Sequence, residues 1–334
     1  MVTNKKQLLV ISGYIDGKPT GGVTMHVHRL LKQLIEPSIP NYELCDYKKD
    51  GLFLQIKKIH RADLMHIHAS NPYLKLFYVL VGKMLQTKSI MTVHGRYGCF
   101  NAWKNFINKL ALKWCDIPIL INRESFTDVV KFNRAAAYIP AFIPPIEEEE
   151  KLEPEIESKI KSIKADGHPL FVTNASSRAF TDDGKEIYGI GFLVDFFSKH
   201  PEYNLVILDP QGQYHKQYDG LLPNNITIIN GLHSFCGVIE LADVVVRNTP
   251  MDGDSFSVKE ALCYHKRILV TDAVSRPEGV FLFKYNDAKS FESAIIHALA
   301  YDEPIELKEE NALPQYSRLY SHYGVSINQG GVKA

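Results

Sequence analysis

Short apolar runs alternate with stretches of helical period along the whole chain. "QLLVISG" leads to "TMHVHRLLKQLI", "DLMHIHA" to "YLKLFYVLVGKML", "SIMTVHG" to "AWKNFINKLALKW" and "IPILIN" to "SFTDVVKFN". Strand-length apolar segments followed by amphipathic helices predict βαβ units around a parallel sheet. The pattern breaks at "YIPAFIPPIEEEEKLEPE", where prolines and four consecutive glutamates mark a linker. It then resumes with "PLFVTNA", "YNLVILD", "NITIING", "DVVVRN" and "RILVTD", each again followed by a polar or helical stretch. The expectation is an α/β chain of two doubly wound, Rossmann-like domains, 1–145 and 146–315, facing a central cleft. A last helix at about 316–330 is a candidate to pack back on the first domain.

At 334 residues the chain is long enough for two cores. Its 45% hydrophobic and 23% charged residues are ordinary for a globular protein. No apolar run approaches the ~20 residues of a spanning helix, and no leader pattern is visible at the start. Five scattered cysteines without a C-x-x-C argue against a disulfide frame or zinc ribbon. The expected location is cytoplasmic.

Charge changes this picture. Residues 1–140 hold 20 Lys and Arg against 9 Asp and Glu, and residues 141–334 hold 18 against 29. The first part is +11 and the second −11. Such a split suggests that the first part faces something anionic, with uneven solvation charge as the alternative. Within it, "CFNAWKNFINKLALKWC" places Phe100, Trp103, Phe106, Ile107 and Leu110 near one stripe, ringed by Lys104, Lys109 and Lys113. A helix of that kind can lie on an anionic membrane surface, and a core-facing helix shows a similar pattern. Nothing points to nucleic acid.

The richest segment is "DGDSFSVKEAL", residues 252–262. Ser257-x-x-Glu260 fits a capping box. Asp252-Gly253-Asp254 fits a D-x-D metal motif, although a hard cation needs more oxygen ligands than it offers. The third reading is a ligand grip. Asp252 and Glu260 would bracket the N-terminus of this helix, whose free N–H groups attract a phosphate while the carboxylates accept from sugar hydroxyls.

"ADVVVRNTPMDGDSFSVKEALCYHKRILVTD" resembles the signature of the retaining glycosyltransferases of family 4, which have the GT-B fold. That signature is an acid, seven residues, then glutamate; Asp252 stands where most members carry glutamate. "GKPTGGVTMHVHRLLKQL" resembles the family's first loop and helix, so Gly21 and Gly22 are expected near the donor phosphates. Physically, paired glycines let backbone approach a ligand closely. "DLMHIHAS" and "SIMTVHGRYG" resemble further landmark strands. His66 and His68 share one strand face, where a two-histidine metal site is geometrically allowed. His94 sits at a strand end, and the resemblance puts it on the acceptor side near the donor sugar.

The resemblance also implies a diphosphate grip of arginine and lysine. Arg178 is the candidate arginine, and Lys185 a shifted lysine, because Tyr188 holds the usual lysine position before Gly189. Leu232, in "IINGLHSF", is expected beside the nucleobase. The implied activity is retaining transfer of a sugar from a UDP- or GDP-sugar donor to a glycan or lipid-linked hydroxyl, in surface polysaccharide or glycolipid assembly. His94, Asp252 and Arg178 would serve the reaction. Gly21, Gly22, Lys185, Leu232, Gly253, Asp254, Ser255 and Glu260 would hold the donor, without metal or other cofactor. The alternative is a non-catalytic sugar- or nucleotide-binding protein of two domains. An enzyme of this kind could also sit peripherally on the inner face of a membrane.

Overall fold

Each strand-length apolar run pairs in parallel with its neighbours. The computed structural model describes residues 7–13, 22–252, 255–308 and 311–328. The chain divides into two units, Met1–Ile143 with Glu309–Ala334, and Pro144–Lys308.

In the first unit, strands β1 (Leu8–Ser12), β2 (Tyr42–Asp46), β3 (Leu64–Ile67), β4 (Lys88–Val93), β5 (Ile117–Leu120) and β6 (Ala137–Tyr138) form one parallel sheet, ordered β2-β1-β3-β4-β5-β6. Helices cover both faces, so the strands read as unbroken apolar runs. Alternation still sorts the side chains. Leu8, Val10, Leu64 and Ile90 pack on one side, with Leu30 of α1 (Gly22–Leu30) and Tyr316 and Tyr320 of the last helix, Leu313–His322. Leu9, Ile11, Met65 and Met91 pack on the other. That side is covered by α2 (Leu52–Arg61), α3 (Pro72–Leu85) and α4 (Ala102–Trp114). Asn71 and Asn101 cap α3 and α4, accepting from the N–H groups of Tyr73 and Lys104.

In the second unit, β7 (Leu170–Asn174), β8 (Asn204–Asp209), β9 (Ile226–Asn230), β10 (Val244–Arg247), β11 (Arg267–Thr271) and β12 (Phe281–Phe283) are ordered β12-β11-β10-β7-β8-β9. Three helices matter for the site: α5 (Ile190–Phe197), α6 (Phe235–Leu241) and α7 (Phe256–Cys263). Gly189 caps α5 at φ +54°, and a Cβ there would meet Asn248 Nδ2 at 2.1 Å, so only glycine fits. Phe171, Phe197, Phe283 and Phe291 are buried in the core of this unit.

Strand order reverses between β1 and β3 in the first unit and between β7 and β10 in the second. Open α/β sheets bind ligands at the carboxyl edge beside such a reversal. A ligand site is therefore expected at those two edges.

Candidate functional site

At the second reversal, β10 ends in Arg247 and the chain turns back towards α7. Asp252 lies in this turn with its side chain only 7% exposed, held by two guanidiniums. Arg247 Nε and Nη2 donate to Oδ2 and Oδ1 at 3.3 Å each, and Arg276 Nη1 donates to Oδ2 at 2.9 Å. Burial acts to raise the Asp252 pKa, but Arg247 and Arg276 outweigh it and hold the carboxyl below its ordinary value. Arg276 is fixed further by Nε donating to Thr271 O at 3.0 Å. The Arg247 guanidinium also lies over the Tyr188 ring, 5.1 Å from its centroid, and the Tyr188 hydroxyl pairs with Ser176. Tyr188 thus ties the end of β10 to the loop that follows β7.

Buried acceptors without partners gather at the same edge. Among the described residues, Asn248 Oδ1 and Asp209 Oδ1 have none, although both residues are buried. The other Asp209 oxygen accepts from the His215 N–H at 2.9 Å. Natural proteins leave few buried acceptors orphaned, and at a strand edge a bound ligand is one way to satisfy them. Two shared guanidiniums, backbone at a helix start and orphaned acceptors together suit an anionic, hydroxyl-bearing ligand.

The first unit's edge is built from neutral groups. His26 Nδ1 lies 3.1 Å from Ala141 O, a pure acceptor, so this nitrogen carries the proton. That assignment propagates. Tyr316 Oη then donates to His26 Nε2 (3.2 Å) and accepts from Thr92 Oγ1 (3.2 Å). Thr92 accepts from His66 Nε2 (2.8 Å), and His66 Nδ1 accepts from Tyr320 Oη (2.6 Å). With the rings neutral, the five links share one direction. Burial first, then neighbouring histidines, keep His66 and His68 well below the ordinary histidine pKa. His94, which is partly exposed after β4, pairs through Nε2 with His68 Nδ1 at 3.0 Å. His68 Nε2 has no partner among the described residues, so the cheaper arrangement has His68 Nδ1–H donating and a bare lone pair at Nε2.

Several sequence expectations change on this frame. The two-histidine metal site fails because both nitrogens of His66 are engaged by Tyr320 and Thr92. The capping box also fails. Ser255 is the N-cap of α7 and makes no side-chain cap, while Ser257 lies inside the first turn with its Oγ 3.0 Å from Ser255 Oγ. Lys185 stands on an exposed hairpin, where its Nζ meets Asp183 Oδ2 at 2.7 Å. Arg178 is exposed, with its guanidinium 5.0 Å from the centre of the Phe180 ring. Leu232 is partly buried in the loop between β9 and α6. Gly22 opens α1. Gly21, Gly253 and Asp254 lie outside the described residues.

Glu260 is 5% exposed in α7 and has Glu149 and Cys236 as neighbours, their ligand-type atoms all within 4.8 Å of one another. Two carboxylates and a thiol of this kind could hold a borderline divalent cation such as zinc. The sequence reading does not single out Arg247 or Arg276, and takes Tyr188 only as the residue at the usual lysine position. One signal was available: an arginine closing an all-valine strand, "DVVVRN", is misplaced for a core and well placed for an edge.

No model of a known protein family matches the sequence, and no curated protein matches it. Solved structures share the fold. HepE of Anabaena, crystallised with UDP and glucose, matches with a TM-score of 0.65 at 14% identity, over 94% of this chain and 95% of its own. Sucrose-phosphate synthase from Thermosynechococcus elongatus gives 0.60 at 16%, over 96% of each chain. UDP-GlcNAc 2-epimerase from Methanocaldococcus jannaschii gives 0.60 at 11%, over 95% and 99%. Likeness at these identities speaks for architecture alone: the chain has the GT-B fold of two Rossmann-like α/β domains.

Proposed function

We propose that the protein is a retaining glycosyltransferase, of the kind its acid-x7-glutamate segment resembles. It moves a sugar from a UDP- or GDP-sugar to a hydroxyl of a glycan or lipid-linked acceptor, in surface polysaccharide or glycolipid assembly on the cytoplasmic side. The observation that carries the reading is the pair of guanidiniums converging on Asp252 beside the strand reversal of the second unit. Two guanidiniums bring one more charge than the carboxylate they share, in surroundings that exclude most water. A diphosphate is the natural complement.

In this reading Arg247 and Arg276 take the role expected of the absent lysine, with Arg178 as an outer contact. Asp252 positions both arginines, and Glu260 accepts from ribose hydroxyls. The bond from the sugar C1 to the diphosphate oxygen breaks, and its electron pair stays on that oxygen. The acceptor oxygen bonds to C1 on the same face and passes its proton to the leaving diphosphate. The arginines stabilise the charge that develops there, so no metal is required. The first unit serves the acceptor, which His94 orients.

Melting of the protein with UDP, GDP, ADP and their sugars, with and without EDTA, tests this. A ligand at a hundredfold excess over its Kd adds about 2.7 kcal/mol of apparent stability. One nucleotide diphosphate should raise Tm, and the rise should survive EDTA. No response to any nucleotide defeats the reading. Binding without transfer to any sugar acceptor leaves the non-catalytic alternative.

A further inference from the structure

Nine of the fourteen large apolar side chains exposed among the described residues lie on three consecutive helices, α2, α3 and α4. Phe53 and Met84 are each 83% exposed, and Trp103 is 61% exposed. A soluble chain rarely gathers this much bare apolar surface on one layer without using it. On α3 the outward stripe runs Tyr73, Phe77, Leu80, Met84, and on α4 it runs Trp103, Phe106, Leu110, Trp114. Both follow helical spacing, on helices that cover the same side of the sheet. The inner faces are different residues: Tyr78 and Val79 on α3, Ala111 and Leu112 on α4. The stripe expected on α4 is thus divided, with Ile107 turned inward and Trp103 and Phe106 left outside.

The charge on these helices is one-sided. Their 37 residues contain eight Lys and Arg and no Asp or Glu. Lys75 is buried and Lys58 is paired with Asp50. The other six, Lys57, Arg61, Lys83, Lys104, Lys109 and Lys113, are exposed and form no ion pair among the described residues. This layer alone supplies most of the +11 carried by residues 1–140.

From this pairing of bare aromatic stripes with unpaired cations on α2–α4, we infer that this layer of the first unit docks on the surface of an anionic lipid bilayer. A protein partner of standard interface size would ask for roughly one hydrogen bond per 100–200 Å², and lysine is depleted in such interfaces. This layer offers cations and apolar rings, which match acidic headgroups above acyl chains. Lysine stems can lie along the apolar stripes while their ammonium groups reach the phosphates. The first turns of α2, α3 and α4, with Leu52, Phe53, Tyr73 and Trp103, follow parallel strands and so lie at the carboxyl edge of the sheet. His94 is at that edge too. The docked layer would therefore bring a lipid-anchored acceptor to the edge where acceptor binding is proposed. That last link rests on the proposed function; the docking itself does not.

The protein carries its own probe, because its only two tryptophans, Trp103 and Trp114, are both on the α4 stripe. Vesicles of phosphatidylcholine with 30% phosphatidylglycerol should shift tryptophan emission to the blue and sediment with the protein, and 0.5 M salt should release it. Pure phosphatidylcholine vesicles should do neither. K104Q/K109Q/K113Q should lower partitioning about a hundredfold, and F53S/M84S should abolish the blue shift with its circular dichroism unchanged. No shift on acidic vesicles overturns the inference, as does an equal shift on neutral ones or parent-like binding by the lysine variant. Binding to soluble polyglutamate with no vesicle response would assign the face to an acidic protein and also overturn it. Nucleotide-induced Tm shifts, read on the same samples, show whether the proposed function stands or falls separately.

Discussion

The two sheet edges solve the burial of polar groups in opposite ways. In the first unit, Tyr320, His66, Thr92, Tyr316 and His26 form a neutral relay that ends on a backbone carbonyl. In the second, Asp252 is buried as an ion between two arginines. Neutral groups cost little to bury once each proton has an acceptor. Ions cost several kcal/mol each, recovered only by close partners. The first edge is thus a hydrogen-bonded support beside which His68 pairs with His94 at 3.0 Å. The second holds charge at considerable cost.

The strongest way to break this contrast is to remove one ion. Arg276→Met leaves Asp252 buried with Arg247 alone and should cost about 1.5–3 kcal/mol in urea unfolding, the loss of one charge-assisted hydrogen bond. Adding Asp252→Asn to that variant should recover part of the loss, while nucleotide binding stays impaired. Recovery of binding as well would remove the arginine from the ligand site.

Acid should separate the two edges by pH. His66 and His68 are held well below their ordinary value of 6.5, so the unfolded chain takes up protons first. Their contribution is whole above pH 6.5 and falls below it, by about 1.4 kcal/mol per unit for each histidine. Stability should therefore drop by about 2 kcal/mol from this pair between pH 6.5, where the unfolded histidine is only half protonated, and pH 5.5. Asp252 has its pKa lowered from 3.8, so its contribution persists until pH falls below that value. Urea midpoints measured from pH 7.5 to 4 should show the histidine loss alone. A flat profile would mean that the relay takes up protons while folded.

A smaller effect sharpens the relay itself. Tyr320→Phe removes the donor to His66 Nδ1 and should cost about 1–3 kcal/mol, leaving a buried acceptor unpaired. The smallest expected effect is a control. Lys185→Ala breaks only an exposed, solvent-screened pair with Asp183 and should leave the urea midpoint and nucleotide affinity unchanged. A tenfold loss of nucleotide affinity would return Lys185 to the diphosphate site.

The fold was legible because its signal is local. Runs such as "QLLVISG" and "YNLVILD" are strands buried on both faces, and the helical stretches between them can only be crossovers of a parallel sheet. Glycine at 189 could be read as punctuation, but not its reason, which is Asn248 pressing on the space a Cβ would fill. The candidate site was legible in part. The segment around Asp252 stood out by composition, and its partners did not.

What the sequence determined by itself is therefore what repeats within a few residues: strand–helix alternation, the linker, the two-domain architecture and the unusual run from Asp252 to Glu260. Tertiary structure decided which distant groups meet. Arg276 reaches Asp252 from 24 residues away, and Tyr320 reaches His66 from 254. It also decided that Trp103 and Phe106 face outward while Ile107, one residue on, is buried. Hydrophobic period reports that a residue lies on a stripe, because burial follows the local repeat. Whether that stripe meets a core or bare solvent, and which carboxylate an arginine finds, depends on strand order and layer packing, which no local window contains.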